Sequence, residues 1–289
     1  MEFQSPFSQI LFRKSDPNVI SRLSPSGCYM ACIGTNGDLQ LVDLQSGHVL
    51  GFLCLKSQQH ITGFKWVTDQ FIILTSDSGE VLKANLIYDK YPHDKLATLS
   101  TIIPAGNKAV LAMCYHRVQA FLAVAFPAKI ELWQWEKSAV PPHWALFDTI
   151  KCKTNGFQWN ITDIMFIQQD RGTCLLIVRD TGFVIWKKHQ EGLGFYRGEN
   201  DEPLSYFAES PNCSLLAASC ADLSISIWPL TSRGPDMAER ETFNVPTGRE
   251  WAGHTLPIAF SSNSGLILAA DPVGTVYVFS LQGDPQYTF

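Results

Sequence analysis

Eight cysteines and seven histidines are the residues of this 289-residue chain best suited to bind a metal or act as nucleophiles. The cysteines stand at positions 28, 32, 54, 114, 152, 174, 213 and 220, and none of them form a Cys-x-x-Cys motif. A structural zinc site needs two close cysteine pairs, or cysteine pairs with histidine pairs. Most of these cysteines lie in apolar runs such as TCLLIV, which is typical of small buried hydrophobes in a reducing compartment. The spacing therefore predicts no metal site, and no motif indicates a cofactor.

Two histidines, His60 and His254, each precede the first strand of a repeated unit described below. Catalysis by either would need a nucleophile and an orienting acid nearby. The sequence has no Gly-x-Ser-x-Gly, His-Glu-x-x-His, Walker or dinucleotide-binding pattern. Residues 75–79 (TSDSG) resemble the Asp box of sialidase propellers, but Asp-x-Gly requires only hairpin geometry. We therefore predict a non-enzyme in which both histidines form hydrogen bonds within the fold or contact a partner.

Trp159 and Trp251 lie in the segments GFQWN and REWAGH, just before the first strand of a unit. Loops at this place reach a rim of the fold, where an exposed tryptophan can anchor a partner. A tryptophan packed within its loop is the alternative, because isolated aromatic residues usually become buried. Trp159, Trp251, His60 and His254 are the predicted partner-binding residues.

The charge distribution argues against nucleic-acid binding. The formal net charge is −5, and the densest basic cluster is the short run Lys187-Lys188-His189. Neutralising phosphates would require a clustered positive face.

The N-terminus lacks a signal sequence, and the longest apolar stretch, residues 109–128, is interrupted by polar residues in its middle. We expect a cytoplasmic or nuclear protein with no membrane segment.

One pattern recurs six times along the chain, in residues 23–47, 67–86, 115–136, 167–188, 210–230 and 261–281. Each unit has a polar turn, a short apolar run, a second tight turn and a strand that alternates apolar and polar residues. Alternation with a period of two, as in SISIW (residues 224–228), indicates a β-strand. The pattern predicts an all-β fold.

The last strand of each unit ends at an equivalent position, occupied in turn by Val42, Ala84, Trp133, Trp186, Trp228 and Phe279. Successive spacings are 42, 49, 53, 42 and 51 residues. A period of about 40–50 residues is typical of a β-propeller with four-stranded antiparallel blades. The interval between units leaves room for two more strands, such as residues 48–55 and 60–67.

The six units resemble WD-repeat proteins over essentially the whole chain. Trp133, Trp186 and Trp228 stand where that family places tryptophan, Asp180 and Asp222 match its turn aspartate, and Gly253-His254 precedes the last unit like its Gly-His pair. Only Val42-Asp43 keeps the acidic half of the Trp-Asp pair. The resemblance implies a propeller of divergent repeats.

The repeat count predicts six blades in a single domain spanning residues 1–289. A seventh, degenerate blade in the interval 133–186 is the alternative. The segment SQILFRK (residues 8–14) precedes the first unit, and we expect it to close the last blade, because a terminal strand there removes an exposed edge.

We interpret the chain as a non-catalytic protein-interaction scaffold that binds a protein or peptide on one propeller face. The argument is partly by analogy with the family. One alternative is a propeller enzyme or small-molecule binder that uses the central channel. Another is an inactive propeller held within a larger complex.

Overall fold

The computed structural model is an all-β, six-bladed propeller of mostly four-stranded antiparallel sheets. It describes residues 20–34, 36–55, 59–87, 97–106, 108–116, 119–141, 143–154, 157–158, 160–169, 172–179, 182–186, 194–196, 204–231, 234–236, 238–246, 256–261, 263–271, 275–282 and 284–288. The predicted fold class is confirmed.

The first three blades are built from twelve strands in chain order. Blade 1 contains β1 (Ile20–Leu23), β2 (Tyr29–Ile33), β3 (Leu39–Asp43) and β4 (Val49–Leu53). Blade 2 contains β5 (Ile61–Thr68), β6 (Phe71–Ser76), β7 (Val81–Leu86) and β8 (Ala97–Ile103). Blade 3 contains β9 (Ala112–His116), β10 (Phe121–Phe126), β11 (Lys129–Glu136) and β12 (His143–Lys151).

A two-stranded hairpin, β13 (Lys153–Thr154) and β14 (Phe157–Gln158), comes before the last three blades. Blade 4 contains β15 (Ile161–Gln169), β16 (Gly172–Arg179), β17 (Gly182–Trp186) and β18 (Gly194–Tyr196). Blade 5 contains β19 (Leu204–Glu209), β20 (Leu215–Cys220), β21 (Ser224–Thr231), the short β22 (Gly234–Pro235) and β23 (Glu241–Asn244). Blade 6 contains β24 (Ile258–Phe260), β25 (Leu266–Ala270), β26 (Val276–Ser280) and β27 (Pro285–Thr288).

The alternative of a seventh blade in the interval 133–186 is wrong. Besides the strands of blades 3 and 4, the described part of that interval contains only the β13–β14 hairpin. In blade 6 the fourth strand is β27, which pairs with β26. The predicted closing strand, residues 8–14, lies outside the described residues.

Two units, Met1–Cys152 and Lys153–Phe289, each contain three of the blades. The single domain over residues 1–289 stays a prediction. In the part of the chain that the structure describes, no helix has the length and apolar character needed to cross a membrane.

The six equivalent strand-end residues all lie on the third strand of their blade, and each pairs with the second strand in the same register. The pairs are Val42 with Met30, Ala84 with Ile72, Trp133 with Leu122, Trp186 with Leu175, Trp228 with Leu216, and Phe279 with Ile267. A one-residue slip would move each apolar set to the opposite face of its sheet. The repeat read from the sequence is therefore the structural repeat.

Within each of the two units, Met1–Cys152 and Lys153–Phe289, apolar side chains from adjacent blades form the cores. Between blades 1 and 2, Leu39 and Leu41 belong to the same buried cluster as Ile72 and Leu74. Between blades 5 and 6, a corresponding cluster includes Ile225 and Phe279. Each such side chain contributes about 1.5–3 kcal/mol on burial, so adjacent blades stabilise each other.

Three blades share the same serine turn between their first and second strands. The serine hydroxyl accepts a hydrogen bond from the backbone N–H five residues later, at 3.2 Å for Ser24, 2.9 Å for Ser210 and 3.0 Å for Ser261. The residue three positions after the serine has positive φ, with values of 73° at Gly27, 57° at Cys213 and 58° at Ser264. These turns fix the polar start of three of the six predicted units.

Candidate functional site

The hairpin turn between β6 and β7 is fixed by Ser76. Its hydroxyl accepts a hydrogen bond from the backbone N–H of Glu80 at 3.1 Å and lies 2.8 Å from the Ser78 hydroxyl. Its backbone closes the turn, because the Ser76 N–H donates to the Glu80 carbonyl and the Ser76 carbonyl accepts from the Gly79 N–H, both at 3.0 Å. The segment that resembles an Asp box is thus an ordinary hairpin turn held at both ends.

The segment before β5 ties this turn to blade 1. The His60 carbonyl accepts a hydrogen bond from the Asp77 N–H at 3.0 Å, and Gln59 Nε2 donates to the Ser78 hydroxyl at 3.1 Å. The His60 ring contacts the turn of blade 1, where its Nδ1 lies 2.8 Å from the Asn36 carbonyl oxygen. Because a carbonyl only accepts, Nδ1 carries the proton. His60 therefore joins the second turn of blade 1 to the second turn of blade 2.

Each of these two turns presents a glycine to the segment that leads into the next blade. Gly37 has φ +75°, and a Cβ there would lie 2.5 Å from the Cβ of His60. Gly79 has φ +78°, and a Cβ there would lie 3.0 Å from the carbonyl carbon of Lys108 and closer still to its oxygen. Only glycine allows both the left-handed backbone and the close approach. The turns are held rigidly against the neighbouring chain.

A cleft of about 260 Å³ opens beside the turn of blade 2. It is partly open to solvent and combines leucine walls with a polar rim. Its lining residues are Leu55, Gln59, Glu80, Leu82, Leu99, Ser100 and Thr101. The fold thus places a small amphipathic cleft at an anchored turn.

Glu80 is the charged residue among those that line the cleft. Thr101 Oγ1 donates to Glu80 Oε1 at 2.9 Å. The pairing of β7 with β8 skips Ile102, since Val81 pairs with Ile103 and Leu82 with Thr101. Such a bulge re-aims the side chains beside it. In the described ranges Glu80 Oε2 has no hydrogen-bond or ion-pair partner, so the cleft presents a fixed carboxylate with one oxygen free.

Of the four predicted partner-binding residues, the structure places one. His60 is exposed and lies next to Gln59 at the edge of the cleft. Trp159, Trp251 and His254 lie outside the described residues. Their role in partner binding stays a prediction.

The three tryptophans at strand-end positions differ in environment. Trp228 is fully buried, and the Arg240 guanidinium carbon lies 5.5 Å from the centroid of its ring. Its Nε1 has no acceptor among the described residues. Trp133 is half-buried and donates from Nε1 to Glu131 Oε2 at 3.1 Å. Trp186 is half-buried. Packing against Phe183 of blade 4 and the Arg240 guanidinium therefore holds Trp228, whereas Trp133 is held by a hydrogen bond within its own strand.

The cysteines are free thiols, and five of the eight are buried: Cys32, Cys114, Cys152, Cys174 and Cys220. Burial raises the pKa of Cys32 to about 11 and raises that of Cys220. A thiol held neutral in this way is a poor nucleophile. Among the residues with described positions, no three His, Cys, Asp or Glu side chains gather as a metal site would require.

Sequence reasoning missed Glu80, Thr101 and Gln59 as site residues. The sequence carries one signal for Glu80, which directly follows the Asp77–Gly79 turn and begins the alternating segment. No sequence pattern places Thr101 beside it, because that contact depends on the bulge at Ile102.

Solved structures resemble this chain in fold, although searches by sequence find nothing. No protein-family model matches the sequence, and no curated protein matches it. Among solved structures, 1531 chains match. One is the beta-propeller domain of Cps50 (Swd1) from Myceliophteria thermophila, with a TM-score of 0.61 and 13% sequence identity over 90% of this chain and 82% of that one. At this identity the likeness is one of fold, and it confirms that the chain is a β-propeller.

Proposed function

We propose that the chain is a non-catalytic scaffold that binds a protein or peptide partner on one face of the propeller. The observation that carries the proposal is the cleft beside the blade 2 turn, with its leucine walls and its free carboxylate oxygen. Its volume is below the roughly 300–1,000 Å³ of sites that enclose a drug-sized ligand. A cleft of this size and openness suits one side chain of a larger partner.

The anchoring of the turns supports a role in recognition. His60, Gln59 and the close approach at Gly79 hold the rim of the cleft in one conformation. A surface that is already ordered loses less conformational entropy when a partner binds. Loops on a rigid scaffold are the usual place for binding residues, and we include exposed His60 and the predicted Trp159, Trp251 and His254 among the proposed partner-binding residues.

The proposed compartment is the cytoplasm or the nucleus. Five cysteines are buried as free thiols, a state that reducing compartments maintain. A place within a larger complex is part of the same proposal, because a scaffold acts through its partners.

Selection of a displayed random-peptide library on the immobilised full chain tests this function. We expect enriched peptides that bind the chain in solution with micromolar dissociation constants, measured by titration calorimetry. A library that yields no peptide with higher affinity for this chain than for an unrelated protein would contradict the proposal.

A further inference from the structure

We propose that the blade 2 cleft binds a lysine or arginine side chain of the partner, with Glu80 as the residue that selects the positive charge. This inference rests on the proposed function and names the chemistry of the partner. It concerns the cleft alone and is independent of the predicted tryptophan contacts.

The charge argument starts from Glu80 Oε2. Thr101 occupies Oε1 at 2.9 Å, and no cation pairs with Oε2 in the described part of the chain. Hydrogen bonds between a carboxylate and an ammonium or guanidinium group are about twice as strong as neutral ones. The chain as a whole carries a formal charge of −5, which favours approach by a basic partner.

The walls of the cleft match the stem of a basic side chain. Leu55, Leu82 and Leu99 contribute apolar surface, and Leu99 is 39% exposed. Lysine and arginine each have a stem of three or four methylene groups. This stem lies along apolar surface while the charged head reaches a polar group. Leucine side chains and a carboxylate in one cleft suit a long amphipathic cation better than a short polar group.

The carboxylate is held in place before any partner arrives. The Glu80 backbone is fixed on both sides by Ser76, and its side chain is fixed by Thr101. Ser100 and Thr101 add hydroxyl oxygens at the rim, and these can accept the remaining donors of the cation. Binding therefore requires little rearrangement of the site.

The test compares the wild-type chain with the variants Glu80→Gln and Asp77→Asn, using the peptides selected on the wild type. Glu80→Gln removes the charge and keeps an oxygen for Thr101. Asp77→Asn removes a charge from the same turn at an exposed residue outside the cleft lining. Thermal unfolding of each variant checks that the fold is intact.

We expect selected peptides to contain a lysine or arginine and to bind Glu80→Gln roughly tenfold to a hundredfold more weakly, with Asp77→Asn close to the wild type. Replacing the basic residue of the peptide by norleucine should cause a similar loss, and this comparison uses only the wild-type chain. Peptides that bind wild type and Glu80→Gln equally, or that tolerate norleucine, would overturn the inference and leave the proposed function standing. If no peptide binds the wild type, the proposed function fails and this inference fails with it.

Discussion

Gly79 lies against the backbone of Lys108 so closely that any side chain on Gly79 would overlap the Lys108 carbonyl. A similar close approach recurs one blade earlier, where a side chain on Gly37 would overlap the His60 side chain. In both cases the turn between the second and third strands of one blade meets the segment leading into the next blade. In blade 2 the glycine lies directly before Glu80, which lines the candidate cleft.

Replacing Gly79 by alanine should therefore destabilise the protein. The change forces a left-handed residue to carry a Cβ and pushes that Cβ into a backbone carbonyl, which cannot rotate away. We expect a loss of about 2–4 kcal/mol in the free energy of unfolding, measured by urea denaturation.

Gly27→Ala is the matched control, because Gly27 has a similar φ of +73° and nothing within 4 Å of its Cβ position. Its cost should be near 1 kcal/mol, from the backbone alone. Equal losses for the two variants would show that the Lys108 contact contributes nothing.

A second prediction concerns the pair Gly37 and His60. The Cβ of an alanine at position 37 would clash with the His60 side chain at 2.5 Å, and Gly37→Ala should cost about 2–4 kcal/mol. In a His60→Gly background the clash is removed, so the same change should cost about 1 kcal/mol. A double-mutant cycle in urea measures this coupling, and additive losses would contradict the predicted contact.

A third prediction is a stabilising substitution in blade 5. Cys213 has φ +57° at the turn position that glycine occupies in blade 1. Cys213→Gly should raise the free energy of unfolding by about 0.5 kcal/mol, the relief of strain less the entropy of an added glycine.

Ser264→Gly is the comparison variant in blade 6. Ser264 has the same backbone conformation, but its hydroxyl accepts a hydrogen bond from the Asn212 N–H at 3.3 Å. Losing that bond should cancel the gain. If Cys213→Gly lowers the denaturation midpoint, the positive φ at this turn is not a source of strain.

A fourth prediction follows from the buried thiol of Cys32. Its pKa of about 11 in the fold lies above the ordinary value of 9.0, so the unfolded chain loses this proton first as pH rises. The contribution of Cys32 to stability is present below pH 9 and is lost between pH 9 and about 11. The stability difference between wild type and Cys32→Ala should therefore narrow over this interval.

Urea denaturation at a series of pH values measures that difference. Cys28, four residues earlier, is exposed and should react with iodoacetamide in the native protein at pH 9, whereas Cys32 should react only on unfolding. A constant stability difference across the interval, or alkylation of native Cys32, would contradict this account.

Much of the fold could be predicted from the sequence because its evidence is local and repeated. Alternation with a period of two identifies the third strands, and the spacing from Val42 to Phe279 gives the period of the blades. The segment of β27 was too short to be recognised as a strand, since its pairing with β26 depends on tertiary contact. The β13–β14 hairpin has only two residues in each strand, below what any periodicity detects.

The candidate site could be predicted far less well. His60 was identified because it precedes a strand, but its acceptor is the backbone carbonyl of Asn36, which any residue could supply. Glu80 and Thr101 are 21 residues apart and meet because a bulge shifts the register between β7 and β8. Long-range contacts of this kind leave no pattern in a single sequence.

Quantitative affinity capture from native lysate tests the central claim, that the chain is a partner-binding platform, most directly. The tagged wild-type chain is compared with a Trp159→Ala, Trp251→Ala double variant whose unfolding midpoint has been checked. We predict that the wild type retains one protein in near-stoichiometric amount and that the double variant retains much less. Retention of no protein above the bare matrix by either form would contradict the account.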